Sequence, residues 1–170
     1  MSSQFPKVVV TGAGCLSPLA PDLARLSSAL RAGEPRIGPI TLFDSERYRC
    51  RTAGEIPEPW LSASEPGLPR ASRLVFLALQ EALRDCPDFL PERLIVGTTS
   101  GGMTSGEQFF RQLAKGGISD PQLVRHYVPV RPVLDAACRL GLDAPCQVVS
   151  TACASGTDAI GLAFHLLRTG

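Results

Sequence analysis

Three short runs of β-branched and apolar residues, each followed by small residues and a helical pattern, constrain the fold of this chain most strongly. The runs occupy residues 7–11, 94–96 and 147–150. Runs of this length and composition are typical of buried strands. Because a strand, a helix and a second parallel strand form a layered unit, the repeated order predicts an α/β fold with a largely parallel sheet.

The spacing of apolar residues and the residues typical of helix ends predict helices between these runs. After Asp22, leucines recur at helical spacing and Gly33 offers a C-cap, so a helix is predicted there. Further helices are predicted over 70–84, 107–115, 132–140 and 158–168, with a short element of undecided type at 121–127. The helix over 70–84 is apolar on almost all sides and is expected to be well buried. Residues 34–69 are rich in proline, glycine and serine, which predicts a long surface connection with one short strand at 52–56.

Composition and charge exclude several classes of function. With 170 residues, 44% of them apolar, the chain is long enough to bury a hydrophobic core. The formal net charge is only +1 and the charged residues are mixed along the chain, which excludes a broad basic surface for nucleic acid or anionic lipid. The apolar run at 8–10 is too short for a signal peptide or a membrane span, so a cytoplasmic location is expected.

Cysteine usage indicates reduced thiols rather than a disulfide framework or a metal site. The chain carries six cysteines but no Cys-x-x-Cys pair and no secretory signal. Zinc sites draw close-spaced Cys or His ligands from two clusters, and the nearest approach to such a cluster is Cys146 with Cys153. No metal site is therefore expected.

One cysteine has the surroundings of a nucleophile. Cys153 follows the third strand-like run and precedes a helix, and its neighbours Ala152, Ala154, Ser155 and Gly156 are small enough to leave the sulfur accessible. At a helix N-terminus, unpaired N–H groups and the macrodipole favour a thiolate and can hold an oxyanion during acyl transfer. Free cysteines are also commonly small buried apolar residues. The local physics leaves both interpretations open.

Five short motifs follow one another along the whole chain. They are Val8-Val-Val-Thr-Gly-Ala-Gly-Cys-Leu-Ser-Pro18, Phe43-Asp44 with Ala53-Gly54-Glu55-Ile56, Val96-Gly-Thr-Thr-Ser-Gly-Gly102, Gly141-Leu142, and Ser150-Thr-Ala-Cys-Ala-Ser-Gly-Thr-Asp-Ala-Ile-Gly161. In this order and spacing the chain resembles the β-ketoacyl-acyl carrier protein synthases, the ketosynthases of the thiolase superfamily. The last motif is similar to the family's nucleophile segment nearly residue for residue.

This resemblance implies a thiolase-like α/β fold and a catalytic role for Cys153. By the resemblance, Cys153 accepts an acyl chain from acyl carrier protein as a thioester, and its own backbone N–H forms half of the oxyanion hole. The implied reaction is a Claisen condensation with malonyl-acyl carrier protein, in fatty acid or polyketide biosynthesis. The phosphopantetheine arm arrives on the carrier protein, so no metal or organic cofactor is implied. Ketosynthases of this kind are homodimers paired through the third strand, here residues 147–150.

The resemblance also implies two catalytic histidines in a C-terminal half, and the chain contains only His126 and His165. His165 follows Cys153 by 12 positions on the same predicted helix, or roughly 18 Å along its axis, so it is not the partner base. His126 is expected to be a surface or capping residue. Residues 1–170 are therefore interpreted as the N-terminal domain of a ketosynthase whose C-terminal half is absent from this chain, with a complementing half or a homodimer as the expected partner.

Other interpretations stay open at this stage. The chain could be a catalytically incomplete fragment or a non-condensing partner subunit, although such subunits typically replace the cysteine, or a coenzyme A-dependent member of the superfamily. Gly12-Ala13-Gly14 after a strand-like run also resembles part of a dinucleotide-binding motif, but Ser17 stands where the third glycine is needed. One departure from the family is Ser72-Arg73, where relatives commonly carry Asp-Arg, which removes a possible ion pair.

Overall fold

The computed structural model describes residues 6–62 and 65–170. Within these ranges the helices and strands follow one another as α1 (Leu23–Ala32), β1 (Gly38–Pro39), β2 (Thr52–Ala53), α2 (Glu58–Ser62), α3 (Arg70–Ala82), β3 (Leu94–Gly97), α4 (Met103–Ala114), α5 (Pro121–Tyr127), α6 (Arg131–Leu140), β4 (Cys146–Val149) and α7 (Ser155–Thr169). A single 3-10 turn at Ala152–Ala154 precedes α7. None of the helices in these ranges is long and apolar enough to cross a membrane.

The central pairing of the fold is parallel. β3 and β4 lie side by side in the register Leu94 opposite Cys146 through Gly97 opposite Val149. Helix α7 begins after β4 and packs against both strands. This strand, helix and strand arrangement confirms the predicted α/β fold. A second, antiparallel pair joins β1 and β2, so the predicted strand at 52–56 is shortened to its first two residues.

The predicted strand at residues 7–11 is wrong. This segment has no regular structure, and Val9 and Val10 are 71% and 87% exposed. Among the described strands none pairs with it. Because β propensity reflects packing and pairing with neighbouring strands, an unpaired run of valines does not form a strand by itself.

The glycines after this run bring the chain against helix α3. A Cβ atom on Gly12 would lie 2.1 Å from the carbonyl oxygen of Ala82, and one on Gly14 would lie 2.0 Å from that of Ala78. Only glycine permits so close an approach of two backbones. These glycines therefore serve chain packing, and the pyrophosphate-binding interpretation loses its structural basis.

Helix α1 begins and ends where the sequence predicts, whereas the bounds of other helices differ from the prediction. The carboxylate of Asp22 accepts the N–H of Arg25 at 2.7 Å, and Gly33 ends α1 with a φ of 67°. Three helices differ from the prediction by two or more residues. Helix α3 ends two residues early, at Ala82, α4 begins four residues early, at Met103, and α7 begins three residues early, at Ser155. The undecided segment forms α5, and α2 lies in what was predicted to be irregular chain.

The buried residues concentrate where α3 packs against α6. They include Phe76 on α3 and Val133, Ala136 and Ala137 on α6. Only Ser72 and Phe76 of α3 are buried, so the prediction of a helix buried on nearly all sides is wrong. Most of its apolar residues are half-buried, because α6, α2 and the segment around Gly12 and Gly14 leave part of the helix surface open.

Candidate active site

Cys153 lies in the connection between the end of β4 and the start of α7. It is exposed and occupies the middle of the 3-10 turn Ala152–Ala154. We call residues 151–154 the cysteine turn. Ala152 is the one non-glycine residue of the described ranges with a positive φ, 52°. This left-handed conformation costs an alanine on the order of 1 kcal/mol, so surrounding contacts must hold it.

Those contacts converge on the carbonyl oxygen of Ala152. The hydroxyl of Ser155 donates to it at 2.7 Å, and the hydroxyl of Thr99 donates to it at 3.1 Å. The backbone N–H of Ser155 donates to the same oxygen. Ser155 is buried, and its Oγ also accepts the N–H of Thr151 at 2.9 Å. The cysteine turn is thus fixed both by the first residue of α7 and by the loop that follows β3.

A glycine brings the loop after β3 up to the cysteine turn. A Cβ atom on Gly97 would lie 2.1 Å from the carbonyl oxygen of Ser155 and 2.6 Å from the amide nitrogen of Gly156. The next residue, Thr98, donates its N–H to the carbonyl of Val149 at 3.1 Å and extends the contact between the strands. This close packing places Thr99 beside the cysteine turn.

The remaining cysteines differ from Cys153 in their surroundings. All six are free thiols. Burial raises the pKa of the Cys15 thiol, with a further contribution from the nearby Glu81 carboxylate, and burial likewise raises the pKa of the Cys146 thiol. Both groups therefore hold their protons more tightly than a free cysteine and are poorer nucleophiles at neutral pH. Cys50 and Cys138 are exposed, but neither lies in a strand-to-helix turn.

The two histidines occupy different surroundings. His126 is half-buried on α5, and its Nδ1 lies 3.6 Å from the Oδ2 atom of Asp135, so the prediction of a surface or capping residue is wrong. His165 is exposed on α7, about three helical turns beyond Cys153. His165 therefore lies well away from the thiol, as its position in the sequence predicts.

A buried carboxylate explains the departure at position 72. The Ser72 hydroxyl donates to Asp135 at 2.7 Å across the interface between α3 and α6, and Arg131 lies 2.7 Å from the other oxygen of Asp135. Arg73 pairs with Glu58 at 2.7 Å, so the loss of an acidic residue at position 72 leaves the arginine with an acidic partner. A serine suits this position because a second carboxylate beside buried Asp135 would add repulsion.

Within residues 6–62 and 65–170, no group of three or more His, Cys, Asp or Glu side chains is arranged to hold a metal ion. The chemistry available at the cysteine turn is that of an accessible thiol next to backbone N–H groups at the start of a helix. Such an arrangement suits attack on a carbonyl carbon, followed by stabilisation of the resulting oxyanion.

An α/β fold with an exposed cysteine in a strand-to-helix turn defines a restricted class of proteins, and sequence comparison identifies the family. The model of the β-ketoacyl synthase N-terminal domain matches residues 6–170, and the chain belongs to this family. Over 183 residues it is 33% identical to the tetracenomycin polyketide synthase ketoacyl synthase alpha subunit of Streptomyces glaucescens, covering 96% of this chain and 43% of that protein.

Two further comparisons agree with this family. The 3-oxoacyl-[acyl-carrier-protein] synthase 2 of Synechocystis sp. is 30% identical over 177 residues, with 96% of this chain and 42% of that protein covered. The solved structure of the ishigamide ketosynthase/chain length factor superposes with a TM-score of 0.84 at 29% identity, over 98% of this chain and 45% of that chain. The chain therefore spans less than half the length of these relatives.

Proposed function

We propose that this chain is the nucleophile-bearing N-terminal domain of a 3-oxoacyl-acyl carrier protein synthase, acting in fatty acid or polyketide biosynthesis in the cytoplasm. The observation that carries the proposal is exposed Cys153 in a turn whose backbone is fixed by Thr99 and Ser155. The names of the relatives support the reaction class, since they include a polyketide ketoacyl synthase subunit and a 3-oxoacyl-[acyl-carrier-protein] synthase.

The first chemical step is acyl transfer to Cys153. The Cys153 sulfur attacks the carbonyl carbon of an acyl thioester carried by acyl carrier protein, and a tetrahedral oxyanion forms. The backbone N–H of Cys153 stabilises this negative charge. When the intermediate collapses, the carbon–sulfur bond to the carrier's phosphopantetheine breaks. The proton lost by Cys153 is matched by the one gained by the departing thiol.

The second step is condensation on the acylated cysteine. Malonyl-acyl carrier protein loses CO2, the resulting carbanion attacks the acyl thioester on Cys153, and the cysteine leaves as a thiolate. The new carbon–carbon bond joins the two acyl units on the carrier protein. The groups that promote decarboxylation are expected on a complementing C-terminal half.

Exposed apolar residues support such a partner. Ile160, Phe164 and Leu167 lie on α7 at spacings of four and three residues and are 74%, 45% and 64% exposed. Residues at these spacings share one face of a helix, and a contiguous exposed apolar face favours association. We propose that a complementing half covers this face, and that the assembled protein pairs as a homodimer through β4.

Acyl labelling of the 170-residue chain tests the proposal. Incubation with an acyl-acyl carrier protein is expected to add one acyl group, which mass spectrometry of peptides locates on Cys153. Cys153→Ser abolishes the labelling, whereas Cys138→Ser, which alters another exposed cysteine, leaves it unchanged. Labelling that persists on a different cysteine in the Cys153→Ser variant contradicts the assignment. A faster reaction with acyl-coenzyme A than with the carrier protein would favour the coenzyme A-dependent branch of the superfamily.

A further inference from the structure

We propose that Thr99 is a positioning residue for acyl transfer: its hydroxyl fixes the peptide unit between Ala152 and Cys153, so that the Cys153 N–H points at the oxyanion. This inference rests on the proposed function and adds to it a residue outside the cysteine turn. Thr99 does not touch the sulfur through any described hydrogen bond; its hydroxyl donates to the carbonyl oxygen of Ala152 at 3.1 Å.

The geometry of a trans peptide links this carbonyl to the N–H of the cysteine. The C=O of Ala152 and the N–H of Cys153 belong to one planar unit, in which they point in opposite directions. The carbonyl is directed at the hydroxyls of Thr99 and Ser155. The Cys153 N–H therefore points in the opposite direction within the peptide plane, away from the hydroxyls of Thr99 and Ser155.

That N–H is available to a ligand. Among the described residues it has no hydrogen-bond acceptor. The N–H of the next residue, Ala154, closes the 3-10 turn by donating to the carbonyl of Thr151 at 3.2 Å. An unpaired N–H next to an exposed thiol matches what a tetrahedral intermediate on that thiol requires. Its direction is fixed only as firmly as the Ala152 carbonyl is held.

Two hydroxyls hold this carbonyl in different ways. Ser155 is buried and lies only three residues away, so its bond is a local part of the helix start. Thr99 is 53 residues away in sequence and exposed, and the close contact at Gly97 fixes its loop. Ala152 also has an unfavourable φ of 52°, so the cysteine turn depends on contacts such as this hydrogen bond to keep its conformation.

The test compares two reactions of the same thiol. Acyl transfer from an acyl-acyl carrier protein passes through an oxyanion, whereas alkylation by iodoacetamide displaces iodide and forms none. Thr99→Val in the 170-residue chain removes the hydroxyl and keeps the shape of the side chain. We expect the acylation rate to fall by about tenfold or more, since removal of a whole oxyanion donor costs about 100- to 1,000-fold. The alkylation rate should stay within about twofold.

Two control variants define the outcome. Thr99→Ser keeps the hydroxyl and is expected to restore acylation, and Ser100→Ala, at the neighbouring exposed position, should leave both rates unchanged. Equal acylation of the wild-type and Thr99→Val chains overturns the role of Thr99, and so does an equal fall in both rates, which indicates a general structural effect. If the wild-type chain is alkylated at Cys153 but never acylated, the proposed function itself fails together with this inference.

Discussion

Residues 8–10 and strand β3 are similar in the sequence, yet only β3 is a strand. Both are short apolar runs followed by glycine-rich chain. β3 has β4 as a parallel partner and α7 packed against it, whereas Val9 and Val10 are 71% and 87% exposed. The residue composition of a segment shows that it is able to form a strand. Whether it forms one depends on a neighbouring strand that pairs with its N–H and C=O groups.

The same partner also positions the candidate site. β3 and β4 end together, and their paired ends bring the loop after β3 next to the cysteine turn after β4. Parallel strands place their carboxyl ends at one edge of a sheet, where loops from separate parts of the chain meet. The N-terminal run has no strand beside it among the described residues.

The largest expected effect comes from adding a methyl group where β3 meets α7. Gly97→Ala would place a Cβ atom 2.1 Å from the carbonyl oxygen of Ser155. The neighbour is backbone and cannot rotate aside, so we expect the free energy of unfolding to fall by about 3 kcal/mol. Urea denaturation followed by circular dichroism measures it.

Gly161 supplies the matched control for that experiment. It lies in α7, and a Cβ atom there would meet nothing within 4 Å. Gly161→Ala should raise the free energy of unfolding by roughly 0.5–1 kcal/mol, because alanine favours a helix interior over glycine. Equal stability of the Gly97→Ala and Gly161→Ala variants would show that β3 and α7 do not approach so closely in solution.

An aspartate introduced into residues 8–10 and into β3 tests the difference between the two segments directly. Val96 in β3 is half-buried and lies opposite Val148, so Val96→Asp should cost about 2 kcal/mol by burying a polar group in the strand pair. Val9→Asp should change the free energy of unfolding by less than about 0.5 kcal/mol, as is usual for surface substitutions. The same urea titration gives both values. A large cost at Val9 would mean that the N-terminal run is paired in solution.

The sequence predicts the features that depend on local chemistry. Gly33 acts as the predicted C-cap of α1, which begins directly after Asp22, and Gly141 ends α6 with a φ of 69°. The position of Cys153 between a strand and a helix also follows from neighbouring residues alone. In each case the physical cause lies within a few residues of the feature.

Features set by distant parts of the chain escape such reasoning. The strand predicted at residues 7–11 has no partner strand in the part of the chain that the structure describes. The early start of α4 accompanies a close contact, since a Cβ atom on Gly102 would lie 1.6 Å from the carbonyl oxygen of His126. The hydrogen bond from Thr99 to Ala152 joins residues 53 positions apart, and no local sequence pattern predicts it. Sequence reasoning therefore finds the nucleophile candidate and misses the residue that orients its backbone.

The antiparallel pair of β1 and β2 is intermediate between the paired strand β3 and the unpaired residues 8–10, because each of its strands has a partner but only two residues. A carboxylate extends this pairing. Glu55 accepts the hydroxyl of Thr41 at 2.8 Å, the N–H of Thr41 at 3.0 Å and the N–H of Leu42 at 3.2 Å. Among the described residues, the N-terminal run has neither a strand partner nor a carboxylate that accepts its N–H groups in this way.

The smallest expected effect is a local pH dependence at this carboxylate. The hydrogen bond from the Thr41 hydroxyl, with further bonds from the amides of Thr41 and Leu42, lowers the pKa of Glu55. A lowered folded-state pKa means that the stabilisation is fully present above the unfolded-state pKa of about 4.3 and is lost as the pH falls through the folded value. Amide NMR shifts of Thr41 and Leu42 should therefore titrate with a midpoint below 4.3. Glu55→Gln should abolish the transition and Glu34→Gln should preserve it, whereas a midpoint above 4.3 would show that the carboxylate does not hold this strand pair.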